Sequence, residues 1–189
     1  FTEGSLNTFA KPTNVDTSSR ILCYDIRDLG KQLLPVGMLV VLDSVFNRII
    51  RNRRLGRSTW VYIDEIYLLF QHEYSANFLF TLWKRVRKYG ACCTGLTQNV
   101  DDLLQSHTAR TMLANSEFLV MLNQASTDRA ELARLLNISD NQLSYITNVD
   151  FGRGLIKCGS AIVPFMDHFP KNNLYRLMST KPSEADAAV

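Results

Sequence analysis

The chain has 189 residues, of which 46% are apolar and 21% charged, and its formal net charge is +3. These values fit an ordinary globular chain with one sizeable core and exclude collagen-like, low-complexity and strongly polybasic proteins. The four cysteines (Cys23, Cys92, Cys93, Cys158) have no CxxC spacing and the three histidines are scattered, so buried, reduced thiols in a cytosolic protein are expected rather than a zinc site or a disulfide framework.

The chain opens on Phe1 without a Met or a signal peptide, as expected of an excised piece of a longer protein. Residues 1–19 are polar and turn-rich. Short apolar runs suited to strands follow at residues 20–26 (RILCYDI), 60–63 (WVYI), 91–97 (ACCTGLT), 118–122 (FLVML) and 154–158 (GLIKC). The first three are each followed by an amphipathic segment. Met38, Val41, Leu42, Val45 and Ile49 recur at helical spacing, as do Phe78, Leu82, Val86 and Tyr89. Apolar strands alternating with helices predict an α/β fold whose parallel sheet is covered on both faces. The longest apolar run, residues 33–42, is about half a membrane span and contains Pro35 and Gly37, so no transmembrane helix is expected.

Two short helices with polar starts at Ser126 and Ser139 are expected next, then a C-terminal β-hairpin of residues 154–158 and 161–165 turning at Gly159–Ser160. A helical turn after Pro170 and a frayed tail complete the reading: residues 1–182 as part of one domain and 183–189 as disordered.

The string Trp60-Val61-Tyr62-Ile63-Asp64-Glu65 carries the most chemistry. Four apolar residues ending in two acids place the carboxylates at the C-terminal edge of a strand, where open α/β sheets bind ligands. This is the form of a Walker B motif followed by a catalytic glutamate. Asp64 would hold Mg²⁺ through its water shell, and Glu65 would orient or deprotonate the water attacking a γ-phosphate. On the string alone, a strand ending in two solvated acids explains it equally well. The next strand ends Leu96-Thr97-Gln98-Asn99. An amide at that tip could donate to a phosphate oxygen and accept from the attacking water, whereas a capping Asn99 with an incidental Gln98 is the plainer account.

Between these strands, residues 84–90 (KRVRKYG) place Lys84 and Arg87 on the exposed side of a helix that Gly90 ends. Arg87 reads either as solvated, dipole-compensating charge or as an arginine finger for a neighbouring subunit's nucleotide. Arg48, Arg51, Arg53, Arg54 and Arg57 close the first long helix. Without interleaved aromatics, a solvated helix end is preferred over a DNA- or peptide-conducting surface.

Residues 60–70, 83–90 (WKRVRKYG), 94–104 (TGLTQNVDDLL), 115–124 (NSEFLVMLNQ) and 135–147 (LLNISDNQLSYIT) resemble, in order, blocks of the conjugative-transfer ATPases. These are the large cytoplasmic ATPases of type IV secretion, of the TraE/TraC and VirB kind. Residues 4–28 and 163–182 share the likeness, so it covers nearly the whole chain. The resemblance implies a RecA-like three-layer fold of the HerA/FtsK branch with a mainly parallel sheet, cut before the P-loop strand. It implies ATP and Mg²⁺ as cofactors, and a homo-oligomer, expected to be a hexamer, at the inner face of the bacterial membrane. The implied partners are secretion-channel components and a DNA or relaxase–DNA substrate. Asp64 and Glu65 match the Walker B pair, Gln98 the sensing glutamine, and Arg87 the arginine finger. Arg153, in a Gly-Arg-Gly string, receives no role.

Nothing in the chain fits GxxxxGK[ST]; Gly56-Arg57-Ser58 lacks the upstream glycine and the lysine. Without that phosphate cradle the chain by itself is expected neither to hold ATP tightly nor to hydrolyse it. The missing strand is expected to leave an exposed sheet edge or apolar face. Two other readings remain open: a DNA-translocating coupling ATPase of the same superfamily, and an inert channel scaffold.

Overall fold

The computed structural model describes residues 7, 11–98 and 100–179. The chain divides into two compact units, Phe1–Met112 and Leu113–Val189.

The first unit is built on α1 (Gly30–Arg54), β1 (Thr59–Ile63), α2 (Glu73–Arg85) and β2 (Ala91–Gly95), followed by α3 (Val100–Gln105) and α4 (His107–Ala114), whose last residues pass into the second unit. Met38, Leu42 and Ile49 form the inner stripe of α1, and Ala76, Leu79 and Leu82 that of α2; all are buried. Full burial of a side chain such as Ile49 or Leu79 contributes about 1.5–3 kcal/mol before entropy is counted. Aromatic edges lock the two segments together, because the Phe46 ring meets Phe78 at 6.2 Å and Tyr89 at 5.6 Å, both nearly perpendicular.

β1 and β2 pair in parallel, with Thr59 opposite Ala91 and Ile63 opposite Gly95. Parallel neighbours need a long crossover, and α2 lies within it. Gly90, at φ +64°, ends the short 3₁₀ turn Val86–Tyr89 and turns the chain into β2. The expectation of a sheet covered on both faces fails for β1. Trp60 and Tyr62, alternate residues on one face, are 65% and 66% exposed. An exposed apolar face is therefore present.

The expected strand at residues 20–26 forms no ladder. Its alternation is real, with Leu22, Tyr24 and Ile26 half-buried and Ile21, Cys23 and Asp25 exposed. A strand also needs a paired edge, and here the Tyr24 hydroxyl instead shares a 3.0 Å hydrogen bond with Ser44 on α1. The membrane reading keeps its outcome but not its reason. Pro35 lies inside α1 and does not stop it. Within Gln32–Arg54 an 18-residue stretch has a mean hydropathy of 1.7, so the helix passes for a membrane span by length and composition alone. A core helix passes the same test, and the buried Met38, Leu42 and Ile49 give α1 a core-facing stripe.

The second unit is a three-stranded antiparallel sheet in the order β3 (Phe118–Met121), β4 (Arg153–Cys158), β5 (Ala161–Met166), with α5 (Ser126–Leu136), α6 (Asp140–Leu143) and α7 (Asn173–Met178). Met121, Leu132, Leu136, Ile138, Ile146 and Leu155 are its buried apolar side chains among the described residues. The hairpin turns at Gly159, φ +56°, as the glycine predicted. Ser139 opens α6 with a capping box: its hydroxyl accepts from the Gln142 N–H while the Gln142 side chain accepts from the Ser139 N–H. The expected tail at 183–189 lies outside the described residues.

The parallel element thus comprises two strands, and residues 118–121 join the hairpin rather than the parallel pair. Against the expectation of burial, Cys23, Cys92 and Cys158 are exposed; Cys93 is partly buried. Cys93 faces the opposite side of β2 from Cys92. Desolvation, with a smaller contribution from Cys92, pushes its thiol up to about 12.

Candidate functional site

Asp64 and Glu65 follow immediately on β1. The chain turns sharply there, for Glu65 adopts φ +46°, ψ +48°, the left-handed conformation. A non-glycine residue in that region costs on the order of 1–2 kcal/mol, so the surroundings must hold it. Three hydrogen bonds do so. The Glu65 N–H donates to Asp64 Oδ1 at 3.0 Å, the Leu96 N–H donates to the Ile63 carbonyl at 2.8 Å, and the Ile66 N–H donates to the Leu96 carbonyl at 2.9 Å. The last two extend the pairing of β1 and β2 past their ends and clasp Leu96 between Ile63 and Ile66.

Packing reinforces the clasp. A Cβ placed on Gly95 would lie 2.5 Å from Ile66 Cδ1 and 3.2 Å from its Cγ2, so glycine lets Ile66 fold across β2 in its present rotamer. Ile66 is buried. Its position fixes the residue before it, Glu65.

The Asp64 carboxylate is exposed, whereas Glu65 is half-buried. Glu65 Oε2 is buried and has no hydrogen-bond partner. An unpaired buried oxygen costs about 1–3 kcal/mol and is a feature that native structures keep for a reason. Gln98 lies two residues beyond the clasped Leu96 and is exposed. The acid pair and the amide therefore share the C-terminal edge of the parallel pair. Asn99, the competing cap, lies outside the described residues.

Arg87 is not part of that edge. It sits in the turn Val86–Tyr89 and is exposed; Gly90, three residues on, accepts from the Thr59 N–H at the opposite end of β1. With about 3.3 Å per residue, the two ends of β1 are roughly 13 Å apart. Arg87 thus lies at the edge away from this chain's own acid pair. Of the second arginine group, Arg48 turns inward and donates to the carbonyls of Thr17 and Ser19. The Arg53 guanidinium lies 5.5 Å above the Tyr89 ring. Arg153 is 3.8 Å from Asp150.

Among the described residues no group of three metal-ligating side chains occurs. Two carboxylates on a strand tip do fit Mg²⁺, which keeps most of its waters and takes one or two protein oxygens. The orphaned Glu65 Oε2 fits a group that addresses water or a solvated ligand. The described residues offer no phosphate cradle.

The TraG P-loop domain matches residues 13–153. The chain belongs to the TraG P-loop domain family. That agrees with the resemblance to the conjugative-transfer ATPases of type IV secretion. Among solved structures, VirB4 of Thermoanaerobacter pseudethanolicus is similar over 85% of this chain, with a TM-score of 0.74 and 26% sequence identity. The chain spans 45% of that structure's length. No curated protein matches. Within the TraG P-loop frame, the acid pair and Gln98 lie at one edge and Arg87 at the other. The left-handed Glu65 and the supporting Gly95 escaped the sequence reading. A glycine inside an apolar strand was the available signal.

Proposed function

We propose that this chain carries the hydrolysis and sensing groups of an ATP-driven motor that energises a conjugative type IV secretion channel. The observation that supports the reading is the clasp at Leu96, which ties the end of β2, two residues before Gln98, to the turn that carries Asp64 and a Glu65 whose buried oxygen has no partner. Bound ATP supplies the phosphoryl group, and Mg²⁺ neutralises charge on its oxygens. Asp64, exposed on the strand tip, holds the metal through its water shell. Glu65 accepts a proton from, or orients, the attacking water, and its fixed backbone keeps the carboxylate within one narrow range of directions. Gln98 donates to a phosphate oxygen and accepts from the same water. In this reading residues 1–182 belong to one ATPase domain, and the phosphate grip is supplied by another segment of the parent protein.

Arg87 lies at the strand edge opposite this chain's acid pair, which fits service to the nucleotide of a neighbouring copy. That requires a homo-oligomer, and a hexamer fits a ring of head-to-tail contacts. Cytoplasmic placement at the inner face of the membrane, next to channel components, follows from the same reading.

The test is ATP hydrolysis by the full-length protein. Glu65→Gln should lower kcat by about 10²–10⁴ with KM for ATP changed only a few-fold. Arg87→Ala should be comparably inactive, and mixing it with Glu65→Gln subunits should restore part of the activity, because mixed neighbours assemble intact sites. Full activity in Glu65→Gln, or robust hydrolysis by residues 1–189 alone, would refute the assignment. Stimulation by DNA in the absence of channel components would favour a DNA translocase instead.

A further inference from the structure

Ile66 is held by the end of β2 in two ways. Its N–H donates to the Leu96 carbonyl at 2.9 Å, while the Leu96 N–H donates to the Ile63 carbonyl at 2.8 Å. Both backbone groups of Leu96 are therefore engaged by the residues that bracket Asp64 and Glu65. The Leu96 side chain is 46% exposed, so the main chain makes this hold. The Ile66 side chain adds a second contact, because it folds over Gly95, the residue opposite Ile63 in the strand register. A β-branched side chain is stiff at χ1, and a glycine beneath it permits a close approach.

Glu65 is tied through the same turn. Its N–H donates to Asp64 Oδ1 at 3.0 Å, and its carbonyl accepts from the Leu68 N–H at 3.0 Å within the 3₁₀ turn Ile66–Phe70. Both of its backbone groups are thus engaged, and its φ of +46° is one that glutamate adopts only where neighbours impose it. Ile66 and Leu69 are buried, so the core anchors the turn. The backbone from which the Glu65 carboxylate projects is set by that turn, and the turn meets β2 at Ile66. Burial alone would make Ile66 a core residue. Its place between a left-handed Glu65 and a Leu96 two positions before Gln98 gives it a further role.

We propose that Ile66 is a positioning residue, coupling the Glu65 carboxylate to the strand end that carries Gln98. A shift of Gln98 on meeting the terminal phosphate of ATP is passed through the backbone of Leu96 to Ile66, and from there to Glu65. Hydrolysis thereby becomes conditional on the sensing contact. The inference deepens the hydrolysis reading and rests on it.

ATP hydrolysis by the full-length protein tests the role. Ile66→Ala, which removes both arms over Gly95, should lower kcat about tenfold to a hundredfold, with KM for ATP changed less than about threefold. Ile66→Val, which keeps the branched Cβ, should recover most of the loss. In a Glu65→Gln background, Ile66→Ala should change the residual rate less than about twofold, because a residue acting through Glu65 has nothing left to position. Hydrogen exchange resolved to single amides gives a second readout. A non-hydrolysable ATP analogue should alter the protection of the Leu96 and Ile66 amides together, and Gln98→Ala should abolish the change at both. Circular dichroism checks that each variant is folded at the assay temperature; should Ile66→Ala not fold, the exchange measurement decides alone. Equal fractional losses from Ile66→Ala with and without Glu65 would make Ile66 a structural residue and overturn the proposal. A loss confined to KM would do the same, as would amides that do not respond or a response at Leu96 that leaves Ile66 unchanged. Full activity in Glu65→Gln would remove the hydrolysis reading and the coupling with it, whereas an inactive Glu65→Gln with unresponsive amides removes the coupling alone.

Discussion

Replacing Glu65 should make the protein more stable. The wild-type residue carries two local costs. Its left-handed backbone costs about 1 kcal/mol or more relative to glycine, and its buried, unpartnered Oε2 costs about 1–3 kcal/mol relative to hydration. Glu65→Ala removes the second cost and keeps the first, at the loss of part of about 0.8 kcal/mol per methylene from the half-buried side chain. The expected gain is about 0.5–2 kcal/mol. Glu65→Gly removes both costs and should add about 1 kcal/mol more. The clasp through Leu96 survives either change, since it uses only backbone groups. Urea unfolding at pH 7 followed by tryptophan fluorescence is a direct assay, because Trp60 and Trp83, the chain's two tryptophans, both lie in the first unit. The midpoint should rise in the order wild type, Ala, Gly, with an unchanged m-value. A fall for both variants would mean that Glu65 is neither strained nor short of a partner, and the argument for a reserved carboxylate would fail with it.

Gly95→Ala should act in the opposite direction. The new Cβ would meet the side chain of buried Ile66, so the Ile66 side chain must repack within a filled core, at about 1–3 kcal/mol of lost stability in the same urea assay. Cys93 gives a pH signature. Burial raises its thiol from 9.0 to about 12, so the folded state keeps the proton while the unfolded chain releases it. This contribution to stability is complete below about pH 9 and is lost as pH rises from there toward 12. Iodoacetamide at pH 8.5 should therefore modify the exposed Cys23, Cys92 and Cys158 well before Cys93, as peptide mass mapping would show.

Much of the site was legible because its signals are local. An apolar run ending in two acids can only put them at a strand tip, and β1 ends one residue before Asp64. Gly90 read as a helix terminator and serves as one. Ser139 with Gln142 formed the expected polar helix start. The turn at Gly159 followed from the backbone freedom of its glycine. The errors arose where a second partner decides. Residues 20–26 alternate as a strand should, yet a ladder needs a neighbour with a free edge. Trp60 and Tyr62 read as buried because apolar residues usually are, but what covers a face is not encoded in the strand itself.

The sequence by itself thus determined the chemistry available: two acids, an amide and an arginine, each attached to a recognisable element, with no glycine-rich phosphate loop among them. Only the tertiary structure decided which edge of the parallel pair each occupies. Parallel pairing carried Gln98 to the acid edge and Arg87 to the opposite one, because both strands run in the same direction. It also brought Arg51–Arg57 and Arg85–Lys88 together. Hydrogen bonds across Leu96, with a glycine opposite Ile66, then fixed Glu65 in a conformation that its own residue type disfavours. Contacts between residues some thirty positions apart set that geometry, and periodicity along one segment does not carry it.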